Sequence, residues 1–179
     1  MPKMKSVTTG TRPAGALWHC TDWRGFRGIL KTEEIRPNRG EFRFRSGLSP
    51  MGCSHRMGAI SLFMDQVDLG KGFLGVWMTN YRPVTFAFML DAARLHGGIV
   101  NPAETRPRPP GITVRGEVCH IGPISWDAVL GCLFVRATNP ECRVYVVAGQ
   151  LGRANINKAM QRLRAGAGRR EENSCSAKE

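Results

Sequence analysis

The stretch Leu17–Pro37, LWHCTDWRGFRGILKTEEIRP, decides how this chain is read. The apolar run Gly15–Cys20 reads as a strand ending in a His-Cys-Thr triplet. Strand side chains repeat every two residues, so His19 and Thr21 share one side of the backbone and Cys20 takes the other. Thr21 or Asp22 then caps a helix through about Lys31, with Trp23, Phe26, Ile29 and Leu30 on one stripe. Ile35 and Arg36 extend toward Pro37. Two hydrogen-bonding groups at the exit of a strand, just ahead of a helix, suit the gripping of a polar ligand.

Outward from this segment, residues 1–13 read as a flexible lead-in, 14–165 as a single domain, and 166–179 as a disordered basic and polar tail. Residues 38–57 hold Arg39, Arg43, Arg45, His55 and Arg56 among glycines, serines and a proline. That is a long basic loop, and long loops in compact domains are often functional. It reads equally as a plain solvated loop. Ala59–Met64 (AISLFM) is a strand. Phe73–Thr79 is ambiguous between strand and short helix. Val84–Leu90 is a buried strand leading into a short helix, Asp91–His96. Residues 101–111, NPAETRPRPPG, hold four of the eleven prolines and form a surface loop. Ile112–Ile121 is a strand, Ser125 or Trp126 opens a short helix or turn, and Leu133–Val135 extends again. Arg143–Val147 is the last strand, bounded by Asn139-Pro140. Residues 153–165 are helical, with Ile156, Met160 and Leu163 on one stripe. Many short strands with few short helices indicate an α+β domain centred on a mixed or antiparallel sheet.

The chain has 179 residues, 42% of them hydrophobic, enough for one real core. No apolar run reaches membrane-spanning length. The basic N-terminus, MPKMKSVTTGTRP, has no apolar segment behind it and does not read as a secretory signal. Six cysteines form no C-x-x-C pair, and several lie in apolar runs such as VCHI and GCLFV. That is how reduced, buried thiols are placed, so a cytoplasmic protein away from membranes is expected. Twenty-six lysines and arginines against 14 acids give a formal net charge of +12. A balance this basic favours a polyanionic partner, such as nucleic acid, a nucleotide or an acidic surface.

The sequence has no Walker loop, G-x-G-x-x-G, H-E-x-x-H or G-x-S-x-G. His19 and Cys20 point to opposite faces and make no nucleophile–base pair. His19, His55, His96 and His120 show no helical ligand spacing, and no metal is expected. Three separated pieces remain: His19-x-Thr21 at a strand end, Arg56 ahead of the strand that holds Ser61, and Glu117 in the strand running on to the turn GPIS. An arginine grips a pyrophosphate in forked geometry. A glutamate holds a ribose hydroxyl and stabilises positive charge developing at a sugar carbon. Plainer readings stand beside these: a structural histidine, a solvated arginine, and a solvent-facing glutamate on an edge strand.

In this order the pieces resemble the ADP-ribosyltransferase-like superfamily: H-x-T on a strand, a helix ending in I-L-x-x-x-x-I-x-P, a later Arg ahead of a strand, and a Glu-led strand followed by a Pro-Ile turn. Within it the chain looks most like the DarT-type DNA-modifying toxins and is more distantly similar to RNA 2′-phosphotransferases. The similarity covers roughly residues 15–150 as scattered short motifs. It implies a split β core with short flanking helices that grips NAD as substrate, without a metal. The implied reaction cleaves the nicotinamide–ribose bond and passes ADP-ribose to an acceptor. Carried over by position, Glu117 and Arg56 are the catalytic residues; His19, Cys20, Thr21, Arg56 and Ser61 contact NAD. Arg39, Arg43 and Arg45 would meet a nucleic-acid acceptor, DNA ahead of RNA. Glu141 in NPECRVYV also leads a strand and competes with Glu117; after Asn-Pro it reads as a turn residue. The resemblance implies a toxin or defence effector, with a neutralising antitoxin or immunity protein as partner. The alternative is a non-catalytic basic module, binding nucleic acid or protein, on a degenerate transferase fold.

Overall fold

The computed structural model describes residues 16–38, 53–64, 83–96, 98–101 and 117–175. The lead-in, Arg39, Arg43 and Arg45, the segment Phe73–Thr79, nearly all of the proline-rich loop and residues 112–116 lie outside the described residues.

The architecture is α+β, with a mostly antiparallel sheet and a few short helices. Strand β1 (Ala16–Thr21) enters helix α1 (Trp23–Thr32), and the two-residue β2 (Glu34–Ile35) follows. A four-residue helix α2 (Cys53–Arg56) precedes β3 (Ala59–Phe63). Next come β4 (Val84–Asp91), a 3-10 turn at Ala92–Arg94 and β5 (Ile99–Val100). They are followed by β6 (Glu117–Ile121), β7 (Ile124–Ser125) and a 3-10 turn at Trp126–Ala128. The hairpin β8 (Val129–Arg136) and β9 (Asn139–Val147) leads into helix α3 (Arg153–Cys175). The main sheet has the order β5-β6-β3-β1-β4-β8-β9, and every ladder in it is antiparallel. β2 and β7 form a separate small pair.

Local chemistry explains the first helix. Asp22 is its N-cap: the carboxylate accepts from the Gly25 N–H at 2.8 Å, satisfying an N–H that has no partner within the helix. Glu33 ends it in the left-handed conformation, φ 52°. Phe26 and Ile29 face inward as the stripe requires, and Leu30 is half-buried; Trp23 is 43% exposed.

β4 (VTFAFMLD) is buried over its first seven residues because apolar layers cover both of its faces. On one face Phe86, Phe88 and Phe134 pack against Phe26 of α1 and belong to one cluster with Ile156, Ala159 and Leu163 of α3. Phe26 stacks on Phe86 at 4.3 Å and meets Phe134 edge-on at 5.3 Å, geometries that aromatic quadrupoles favour. On the other face lie Ala16, Trp18, Cys20, Phe63, Ala87, Met89 and Val135.

Several boundaries differ from the sequence expectation: β8 begins at Val129, not Leu133, and the expected helix Asp91–His96 is the 3-10 turn Ala92–Arg94. The last strand begins at Asn139, not Arg143: β9 is an edge strand, and a register shift opposite Val135 and Arg136 takes up Pro140, whose missing N–H an edge tolerates. Helix α3 runs to Cys175, beyond the helical span 153–165 that the sequence suggests. The Arg- and Glu-rich run after Gly168 carries ordinary helix propensity.

Candidate active site

The sheet is unevenly stitched at its centre. β1 pairs with β4 over six consecutive residues, Ala16↔Asp91 to Thr21↔Phe86, but with β3 through the single pair Trp18↔Phe63. Beyond that pair the two strands part, and His19 sits at the parting. Its Nδ1 lies 3.2 Å from the main-chain oxygen of Ser61. A carbonyl only accepts, so Nδ1 carries the proton and Nε2 remains an acceptor. Burial lowers the His19 pKa, more than the bond to Ser61 raises it, so the ring is neutral at pH 7.

Ser61 is also tied through its side chain. Its hydroxyl donates to Oε1 of Glu117 at 2.6 Å. The register explains the contact. Ser61 lies opposite Cys119 and Phe63 opposite Glu117, which makes Ser61 and Glu117 diagonal neighbours on one face of β3 and β6. Glu117 is only 6% exposed. A carboxylate removed from water needs hydrogen bonds, and a hydroxyl bond this short is of the charge-assisted kind. His19, Ser61 and Glu117, from three adjacent strands, are thus joined through one serine.

The remaining expected residues are placed as follows. Alternation puts His19 and Thr21 on the α1 side of β1, facing the same way as their β4 partners Phe88 and Phe86. Ser61 and Glu117 lie on the opposite side, with Trp18 and Phe63. The link from His19 crosses between these sides through the Ser61 carbonyl, in the plane of the sheet. Thr21 Oγ1 is packed over Gly25, where a Cβ would overlap it, so glycine is required at that position of α1. Cys20 points into the second core cluster, and burial pushes its thiol up to about 12. It is no nucleophile at neutral pH, and its side chain is turned away from His19. Arg56 ends α2 with its side chain exposed, without a hydrogen bond or ion pair among the described residues.

Comparisons with protein-family models, curated proteins and solved structures find no match to this chain.

Glu141 lies on β9, four strands from β3 in the sheet order, roughly 19 Å at the usual strand spacing. The sequence reading passed over His120 of β6. It is fully buried; its Nδ1 lies 3.1 Å from the Gly122 carbonyl, and Nε2 has no hydrogen-bond partner. The only sequence signal was a polar residue inside VCHI. No group of three His, Cys, Asp or Glu side chains suited to a metal occurs among the described residues, and no described helix is long and apolar enough to cross a membrane.

Proposed function

We propose that this chain is an NAD-consuming ADP-ribosyltransferase whose site straddles the parting between β1 and β3. The observation that carries the reading is the link from Glu117 through Ser61 to His19. It connects, through Ser61, three residues that the family resemblance assigns to NAD handling. In this reading a neutral His19 offers Nε2 to a ribose or amide donor, and Arg56, exposed at the end of α2 just ahead of β3, meets the phosphates. Glu117, held in orientation by Ser61, accepts a ribose hydroxyl and stabilises charge developing at C1′ as the bond to nicotinamide breaks. The acceptor oxygen or nitrogen bonds to C1′, and its proton passes to Glu117 or to water. Glu117 is preferred to Glu141 because its carboxylate is bonded to the hydroxyl of Ser61, whose main-chain oxygen meets His19. The acceptor class is nucleic acid, DNA ahead of RNA, with protein as the alternative. A toxin or defence role, a neutralising partner and a cytoplasmic setting belong to the same reading.

The test is nicotinamide release from labelled NAD, with and without single-stranded DNA, RNA or cell lysate. Glu117→Ala is expected to lower the rate about 10²–10³-fold, the usual loss when one transition-state stabiliser is removed. Glu141→Ala should leave it unchanged. Loss in Glu141→Ala with Glu117→Ala still active reverses the assignment of the glutamate. Absence of NAD binding by calorimetry, with salt-sensitive binding of nucleic acid retained, favours the non-catalytic basic module. The exposed cations on α1, without an ion pair among the described residues, are the observation on that side.

A further inference from the structure

Helix α1 turns two unlike faces in opposite directions. Phe26 and Ile29 enter the core. Arg24, Arg27 and Lys31, spaced i, i+3 and i+7, point the other way, and all three are exposed. None has a hydrogen bond or ion pair among the described residues. Acids at the helix ends are engaged elsewhere: Asp22 caps Gly25, and Glu34 pairs with Arg36. Glu33, at the C-cap, is exposed.

Trp23 flanks this basic row. It is 43% exposed yet held in place, its ring stacked on Phe26 at 5.7 Å with 25° between the planes and 5.6 Å from Phe86. An indole fixed from below by buried rings and open above is a stacking platform. With Leu30 and Gly28 it and the three cations line one shallow groove. A Cβ at Gly28 would meet nothing within 4 Å, so the groove is open at that point.

We propose that this face of α1 binds single-stranded nucleic acid, one base stacked on Trp23 and the backbone running along Arg24, Arg27 and Lys31. Aromatic stacking beside a basic track is the general way proteins hold unpaired strands, because every base has a π-face and every backbone unit a charge. The row from Arg24 to Lys31 spans about 10 Å of helix, enough for two or three phosphates. A duplex hides its base faces and offers nothing for Trp23 to stack on. The inference deepens the proposed function by giving the nucleic-acid acceptor a docking face, but it requires neither NAD nor Glu117.

The test is fluorescence anisotropy of a labelled short oligothymidine against the full chain over a salt series. Arg24→Ala/Arg27→Ala/Lys31→Ala is expected to weaken binding more than about tenfold and to lower the salt slope by about 2, at roughly 0.7 per phosphate contact. Trp23→Ala should weaken binding about tenfold with the slope unchanged. Duplex DNA should bind more weakly than the single strand. Arg153→Ala/Lys158→Ala/Arg162→Ala, which removes the same charge from exposed positions of α3, should bind like the wild type. Wild-type chain that binds the oligothymidine but releases no nicotinamide from NAD refutes the transferase reading and leaves this one standing, whereas nicotinamide release without oligothymidine binding refutes this one alone. The proposal is overturned if both triple variants lose affinity equally, if Trp23→Ala binds like the wild type, or if duplex binds as tightly as single strand. Trp23→Ala removes a ring that packs on Phe26; the α1 triple variant, confined to exposed side chains, tests the surface independently of folding.

Discussion

His19 occupies a position where two strands cease to pair, and its ring fills the hydrogen-bonding role that a ladder partner would otherwise take. Burial favours the neutral ring, so its pKa in the folded chain lies below that of the unfolded chain. Where the unfolded state binds the extra proton, stability rises with pH. The contribution of His19 is therefore complete above about pH 6.5 and is lost as pH falls through the lowered folded value. The drop in melting temperature between pH 7.5 and pH 5.5 should be smaller in His19→Gln than in the wild type; an equal drop in both would show that His19 does not carry it. At this scale the sequence was informative about direction. The alternation that placed His19 and Thr21 together and turned Cys20 into the core is a property of any strand. The bond from Ser61 to Glu117 was not legible, because it depends on which residue of β6 falls diagonally across from Ser61. That register is set by strands 56 residues apart in the chain.

Among the elements, α1 was the most readable, since its cap and its apolar stripe are both local. Its two supports differ in strength, and urea unfolding should separate them. Asp22→Ala removes one cap bond and is expected to cost about 1 kcal/mol. Phe26→Ala leaves a cavity among Phe86, Phe88 and Phe134 and is expected to cost about 3–5 kcal/mol. Comparable losses in the two variants would mean that the aromatic cluster rearranges to fill the space. The exposure of Trp23 escaped the sequence reading for a simple reason. A stripe of four apolar residues is wider than the face α1 actually buries, and the ring at its margin is left half in water. β9 escaped as well: a bulge lets an edge strand continue through Asn139-Pro140, a dipeptide that by itself signals a turn.

Across the whole molecule, the sheet is two unequal halves meeting at one bridging pair. β4 is buried and pairs over Phe86–Asp91 with β1 and over Val84–Leu90 with β8, whereas β5 contributes two residue pairs at the opposite edge. Amide hydrogen exchange should reflect this. The amides of β4 and β8 are expected to be the slowest in the chain, and those of β5 and β6 to exchange through easier local openings. Equal protection in β4 and β6 would contradict a seam between β1 and β3. What the sequence by itself determined is what short-range physics controls: the strand–helix entry at Leu17–Thr32, the buried character of β4, the burial of Cys20, Cys119 and Cys132, and the large positive charge. What only the tertiary structure decided is adjacency. That Ser61 stands between His19 and Glu117, that Glu141 lies at the far edge, and that the outer face of α1 carries exposed cations beside a fixed indole all depend on strand order, register and burial. These are set by the packing of distant segments into one core, and no local pattern in the chain encodes them.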